Sequence, residues 1–194
     1  MKPRSMALML LSGLVVAVAV GAVAAEPAAL FDGRTLDGWD VIACESVVQD
    51  GAILLKSGNG MVQTKKKYRD FALQFEWKAL KEDRWDSGVY FRYDAVPAGR
   101  PWPRRYQVNL RKGMEGDLDG FPAGKNTVAI KAGDWNRFEL TVRGATAALT
   151  VNGQPAWRVD GLEMRDSHIA LQAEVPGGGQ FLFRQIRLIE LDGR

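Results

Sequence analysis

The chain has little of what builds most recognisable reaction centres. Its 194 residues include one cysteine, Cys44, and one histidine, His168. A single cysteine excludes an internal disulfide and any multi-cysteine zinc site, and a single histidine excludes any multi-histidine metal site. Cys44, after Ile42 and Ala43, reads as a buried bystander, and His168, just before Ile169-Ala170-Leu171, as a surface residue at the start of a strand. There is no G-x-S-x-G elbow, H-E-x-x-H helix or phosphate-binding loop, and no E-x-D-x-x-E run that would set out an acid and a nucleophile on one strand. Beyond the first residues the chain also lacks helical periodicity, internal repeats and linker-like low-complexity stretches.

The one long hydrophobic run lies at the start. MKPRSMALMLLSGLVVAVAVGAVAAEP places Lys2 and Arg4 before an uncharged apolar segment that ends in Ala22-Val23-Ala24-Ala25. This is the layout of a secretory signal peptide covering residues 1–25. A retained membrane anchor is the alternative, since Met6 to Val23 is about long enough to span a bilayer. The small residues followed by Glu26-Pro27 favour cleavage, and with it a secreted or periplasmic protein that has no membrane attachment once processed. Residues 26–194 are then enough for one well-buried domain. They carry 24 basic and 23 acidic residues, a net charge of +1, which gives no footing for a nucleic-acid partner. The Lys65-Lys66-Lys67 run reads as a solvated turn.

What fills the chain instead is short alternating segments separated by turn residues. Strands are expected at Ala52–Lys56, Phe71–Ala79, Ser87–Tyr93, Arg105–Leu110, Thr127–Ile130, Arg137–Arg143, Ala147–Val151, His168–Ala173 and Phe181–Leu191. Asp50-Gly51, Ser57-Gly58-Asn59-Gly60, Arg143-Gly144, Asn152-Gly153 and Pro176-Gly177-Gly178-Gly179 break them. Many short strands with no helices between them mean an all-β sandwich or barrel. Two long polar stretches, Asp94–Arg104 and Lys112–Asn126, flank the Arg105–Leu110 segment, and loops of that length often carry function.

Three segments can be phased by their apolar positions. Phe71, Leu73, Phe75 and Trp77 share one face, Val89 and Phe91 another, and Tyr106, Val108 and Leu110 a third. If the three strands lie in one sheet, Gln74, Glu76, Asp86, Tyr90, Arg92, Gln107 and Asn109 share its polar face. Carboxylate, guanidinium, carboxamide and phenol together suit a polyhydroxylated ligand, because sugar hydroxyls both donate and accept hydrogen bonds. Gly88 would let a ligand or another backbone approach closely. Trp85 and Trp102 could stack on sugar rings, although a lone tryptophan is more often partly buried core. The bland reading is an exposed face with a cross-strand Glu76–Arg92 ion pair. The site reading requires Glu76, Arg92 and Gln107 in one cleft.

Read together, several motifs resemble one family. LFDGRTLDGW (Leu30–Trp39) is followed by DFALQFEWK (Asp70–Lys78), DSGVYFR (Asp86–Arg92), YQVN (Tyr106–Asn109) and GDWNRFELTVRG (Gly133–Gly144). LTVNGQPAW (Leu149–Trp157), IALQ (Ile169–Gln172) and FRQIRLIEL (Phe183–Leu191) complete the order. The chain in this respect is similar to the 3-keto-disaccharide hydrolase domain family, over essentially Leu30 to Leu191. The resemblance implies a two-sheet antiparallel jelly-roll sandwich of the concanavalin A-like lectin/glucanase kind. It also implies an exported protein that binds carbohydrate, or cleaves glycosides oxidised to a ketone at C3 as a hydrolase or lyase. On that reading Glu76, Asp86 and Arg92 carry the chemistry. Tyr90, Gln107, Asn109 and Gln172 hold the substrate, with Trp85 and Trp102 stacking, and a divalent cation could serve as cofactor. Three positions depart from the family pattern: Asp86 stands where asparagine is usual, Gln107 where an acid is usual, and Glu174 near the position of a usual histidine. A carbohydrate-binding module without turnover is the alternative, and a structural or interaction domain a third.

Overall fold

The computed structural model describes residues 26–191. The expected signal peptide, residues 1–25, lies outside the described residues, as do residues 192–194. The described residues form eleven strands, every pair antiparallel: β1 (Ala28–Ala29), β2 (Trp39–Gln49), β3 (Ala52–Thr64), β4 (Phe71–Ala79), β5 (Gly88–Tyr90), β6 (Gln107–Asn109), β7 (Asn136–Arg143), β8 (Thr146–Val151), β9 (Gln154–Asp160), β10 (Ala170–Glu174) and β11 (Phe181–Glu190). One four-residue helix, α1 (Val175–Gly178), precedes β11.

The strand order is β6-β5-β10-β3-β11-β4-β7-β8-β9, with β2 along the far edge of β3 and β1 on β11. β3 folds this path into two layers. Its first part, Ile53–Leu55, pairs with β11, and its second, Asn59–Gln63, pairs with β10. Gly58 between them has φ of +89°, and a side chain at Gly60 would collide with the Ile42 carbonyl oxygen of β2. Leaf A therefore contains β6, β5, β10 and the end of β3, while leaf B contains β11, β4, β7, β8 and β9.

The apolar faces of the two leaves meet. Phe71, Leu73, Phe75 and Trp77 of β4 pack with Phe138, Leu140 and Val142 of β7, and all of these join Val89, Val108 and Leu171 of leaf A in one buried cluster. Each such side chain contributes roughly 1.5–3 kcal/mol by leaving water. The Leu30–Trp39 motif closes one end of this core. Asp32 Oδ1 accepts the Arg34 and Thr35 amides, and the buried Trp39 indole donates to the Leu30 carbonyl at 2.8 Å. The fold is an all-β, two-sheet antiparallel jelly-roll sandwich.

The alternation located β4 to the residue, and Asp50-Gly51 and Asn152-Gly153 both take positive φ in the tight turns expected of them. β1, β2 and β9 are not among the expected strands. β2 is an edge strand with only Trp39 buried, and its two register shifts, one at Ala43 (φ +53°), erase the period-2 signal. β9 starts with Gln154-Pro155 at the other edge, where proline costs no ladder bond. Ser57–Gly60 bends β3 rather than ending it. Thr127–Ile130 is not a strand, and the Ser87–Tyr93 and Arg105–Leu110 segments contribute only three strand residues each.

Candidate functional site

The outer face of leaf A is polar across four strands because the register aligns its outward positions. Tyr90 pairs with Gln107 on one side and with Ala170 on the other, and Ala170 pairs with Gln63. The next row runs Asn109, Gly88, Gln172 and Met61 by the same registers. Beyond it, past the ends of the shortest strands, come Asp86 and Glu174. The stretch after β6 folds back along it, with Leu118 bridged to Val108 and the Asp119 amide donating to the Gln107 carbonyl, so Asp119 joins the row of Gln107 and Tyr90.

A chain of side-chain hydrogen bonds crosses this face. Gln107 Nε2 donates to Gln172 Oε1, and Gln172 Nε2 donates to Glu174 Oε2 at 2.8 Å. The Gln107–Gln172 bridge lies directly over Gly88, where any Cβ would fall inside contact with Gln107 Nε2. That close approach, and not a turn, is the reason for glycine at 88. Asn109 is held from both ends: its Oδ1 accepts the Arg111 amide at 2.7 Å and its Nδ2 donates to Asp119 at 3.2 Å. The Tyr90 ring packs with Met61, Tyr93 and Ala170, while its hydroxyl has no hydrogen-bond partner among the described residues and is not sealed from solvent.

Two carboxylates share the rim with three cations, Arg84 among them. Asp86, Glu174, Arg111 and Lys112 line a cavity of about 470 Å³ next to Trp85 and Gly177. Glycine at 178 lets α1 seat here, since a Cβ would strike the Asp86 backbone, and the Asp86 amide donates to the Gly178 carbonyl. Burial raises the Asp86 carboxyl above its ordinary value; Asp119 adds to the rise and Arg111, 3.8 Å away, opposes it. Glu174 is raised by burial first and by the Asp86 charge second, against Arg111 and the Gln172 amide. Tyr90 is raised by burial and by Asp119, Glu174 and Asp86, in that order. Among the described residues no three or more of His, Cys, Asp and Glu are grouped to hold a metal ion. Hard divalent cations need several converging oxygens, so this donor set does not fit one.

Of the residues expected to form one site, Asp86, Tyr90, Gln107, Asn109 and Gln172 do come together. The other four do not join them as expected. Glu76 is on the outer face of leaf B, across the sandwich, where its Oε2 accepts from Arg184 at 2.7 Å; Gln74 shares that face and accepts from Arg137. β4 and β5 are consecutive in sequence but pair with different partners, and alternation tells outward from inward without saying which outside. Arg92 lies past the end of β5 with φ of +47°, which turns its side chain away from the polar file. Its guanidinium is fully buried, bonded to Asp70 Oδ1 at 2.6 Å, Gly144 O at 2.6 Å, Arg69 O at 3.0 Å and Glu163 O at 3.3 Å. It ties three loops together.

Trp85 is 3% exposed in the core, with the Lys112 ammonium over its ring, and offers no face for stacking. Trp102 is half-buried; its indole donates to the Gly60 and Ala173 carbonyls, pinning the proline-rich 94–104 segment over β3 and β10 as one wall of the face. His168 is half-buried, its Nδ1 2.6 Å from the Thr64 carbonyl, rather than a surface residue. Arg111 and Asp119 join the site without a signal in the strand pattern. The length and polarity of Lys112–Asn126 pointed to that region, but only the Val108–Leu118 bridge puts Asp119 on the face.

Residues 26–189 match the 3-keto-alpha-glucoside-1,2-lyase-like domain, nearly the full described span. The chain belongs to this family. No curated relative matches its sequence. Among solved structures, this lyase-like domain is similar to a Parabacteroides distasonis protein whose description as a glycosyl hydrolase is provisional. The TM-score is 0.70 at 16% identity, over 86% of this chain and 94% of that one. It is also similar to the carbohydrate-binding module CBM66 of Bacillus subtilis (TM-score 0.57, 11% identity, 78% and 94% covered). A Bacillus subtilis protein of unknown function with a galectin-like fold gives TM-score 0.57 at 10% identity, with 83% and 94% covered. At these identities the likenesses speak for the jelly-roll fold, and the family match makes this a carbohydrate-related domain.

Proposed function

We propose that the exported domain binds a glycoside on the outer face of leaf A and cleaves 3-keto-glycosides there by elimination. The observation that carries this is the Glu174 carboxyl, raised by burial and by Asp86 and oriented through one oxygen by Gln172. A carboxylate with a raised pKa is a stronger base near neutral pH.

A ketone at C3 acidifies the C2 proton. Glu174 takes that proton, and the C–H electron pair spreads onto the C3 oxygen, where Arg111 on the same rim supplies positive charge. The pair then closes the C1=C2 bond as the C1–O bond breaks, and the leaving oxygen keeps that bond's electrons. It takes back the proton from Glu174. Addition of water across the new double bond gives the free 3-keto sugar, so the net change is hydrolysis. Asp86 acts by keeping Glu174 basic, while Gln107, Asn109 and the Tyr90 hydroxyl meet sugar hydroxyls. No metal enters this scheme.

The second reading, binding without turnover, is favoured by Gln107: a neutral amide, bonded to Gln172, stands where the family pattern has an acid. Incubation with a 3-keto-disaccharide separates the two. Release of a 3-keto monosaccharide by the wild type, lost in Glu174→Gln, supports cleavage. A rise in Tm with the sugar and no product supports binding only. Export is tested by N-terminal sequencing of the secreted or periplasmic form, which should begin near Glu26.

A further inference from the structure

The outer face of leaf B holds a cavity of about 690 Å³ that the proposed reaction does not use. Its floor is the row Arg137–Glu76–Arg184, set by the β4–β7 and β4–β11 registers, and the Trp135 loop and the Asn152-Gly153 turn form its walls. Arg184 sits at a β-bulge: the register shifts after it, and Gln185 has φ of +51°. Bulges re-aim side chains, and here the guanidinium is fixed on two sides. Its Nε donates to Glu76 Oε2 at 2.7 Å, and its carbon lies 3.8 Å from the Trp135 ring centroid.

That arrangement leaves both terminal nitrogens of Arg184 and the second oxygen of Glu76 without partners among the described residues. Adjacent N–H donors and a carboxylate acceptor are thus held side by side on the floor of the cavity. The lining is electrically balanced, with Glu76 against Arg184, Glu139 against Arg137, and Lys131 and Asp134 on the rim. An anion would meet as many carboxylates as cations. A vicinal diol needs what is offered: one hydroxyl accepts from Arg184 while its neighbour donates to Glu76.

We propose that this cavity is a second saccharide site, selective for a neutral sugar with adjacent hydroxyls, on the side of the sandwich opposite the elimination site. It holds glycan without cleaving it, and both sites can be filled at once because the core lies between them. The test is titration of the 15N-labelled protein with maltose, cellobiose, sucrose and glucuronate. The reporter is the Trp135 indole N–H resonance, assigned by its loss in Trp135→Phe. At least one neutral disaccharide should shift it in a saturable way. Arg184→Lys keeps the charge but loses the fork, and should weaken that binding about tenfold or more. Glu76→Gln should weaken it too, and is the deciding variant if Arg184→Lys fails to fold by circular dichroism. Glu174→Gln should leave it unchanged, so failure of the elimination scheme does not touch this result. The proposal is overturned if no neutral sugar moves the resonance, if glucuronate binds more tightly than any of them, or if Glu174→Gln abolishes the shift.

Discussion

Glu76 and Glu174 stand on opposite outsides of one sandwich, and their surroundings differ in a way that separates holding from reacting. Glu76 is answered by a guanidinium at 2.7 Å, and that guanidinium is itself stacked on an indole. Glu174 has an amide for its direct partner and another carboxylate, Asp86, as a charged neighbour; Arg111 is 3.8 Å from Asp86. A carboxylate bonded directly to a matched cation is held in place. One that is half-buried, bonded to an amide rather than to a cation, and next to a second acid is kept ready to take a proton. The same residue type therefore earns opposite assignments from its neighbours alone.

Exchange at Glu174 has the largest expected effect. Glu174→Gln should lower the rate of 3-keto-glycoside cleavage by about 10²–10⁴-fold, while Glu76→Gln leaves it within about twofold; steady-state assays on both variants decide. Equal losses in the two would remove the distinction. The next largest effect belongs to neither face. Arg92→Ala leaves Asp70 buried without its cation and should cost about 3–5 kcal/mol in urea unfolding, whereas a residue that acted on substrate would lower turnover and spare stability.

Gly88→Ala sharpens the account of leaf A. The added methyl would displace the Gln107–Gln172 bridge, weakening sugar binding and costing about 1–3 kcal/mol of stability by overpacking. Acidification gives a smaller, signed effect. Protonated Glu174 cannot take the C2 proton, so kcat/KM should fall as pH drops through a value above the ordinary 4.5 of glutamate. For stability the direction is opposite. Folding raises the pKa of Glu174, so its contribution is complete in acid and is lost as pH rises through the folded-state value. Glu174→Gln, which does not ionise, should flatten that part of the stability–pH curve. Smallest of all, Glu76→Gln should change Tm little, since its partly exposed ion pair contributes at most about 1 kcal/mol.

Much of the fold was legible because β4, β7 and β8 bury one strict face each, and the Asp50-Gly51 and Asn152-Gly153 turns announce themselves. The site was legible only in part. Asp86, Tyr90, Gln107, Asn109 and Gln172 reach one face because their strands are neighbours in space as well as in the motif order. Glu76 and Arg92 were misplaced for two different reasons: strand alternation carries no information about which leaf a strand joins, and one positive φ at Arg92 undoes its parity. The three departures from the family pattern, Asp86, Gln107 and Glu174, looked scattered over almost ninety positions. The hydrogen-bond chain and the cavity rim bring them to one place.

In the proposed reaction the glycoside sits over Gly88 with its C2 beside Glu174. A crystal structure of the Glu174→Gln variant with an uncleaved 3-keto-disaccharide tests it most directly. The prediction is density between Gln107, Gln172 and the Tyr90 hydroxyl, with the sugar C2 within reach of the residue 174 side chain and the C3 oxygen turned toward Arg111. A keto-sugar found only over Glu76 and Arg184, with the Gly88 face empty, would contradict it.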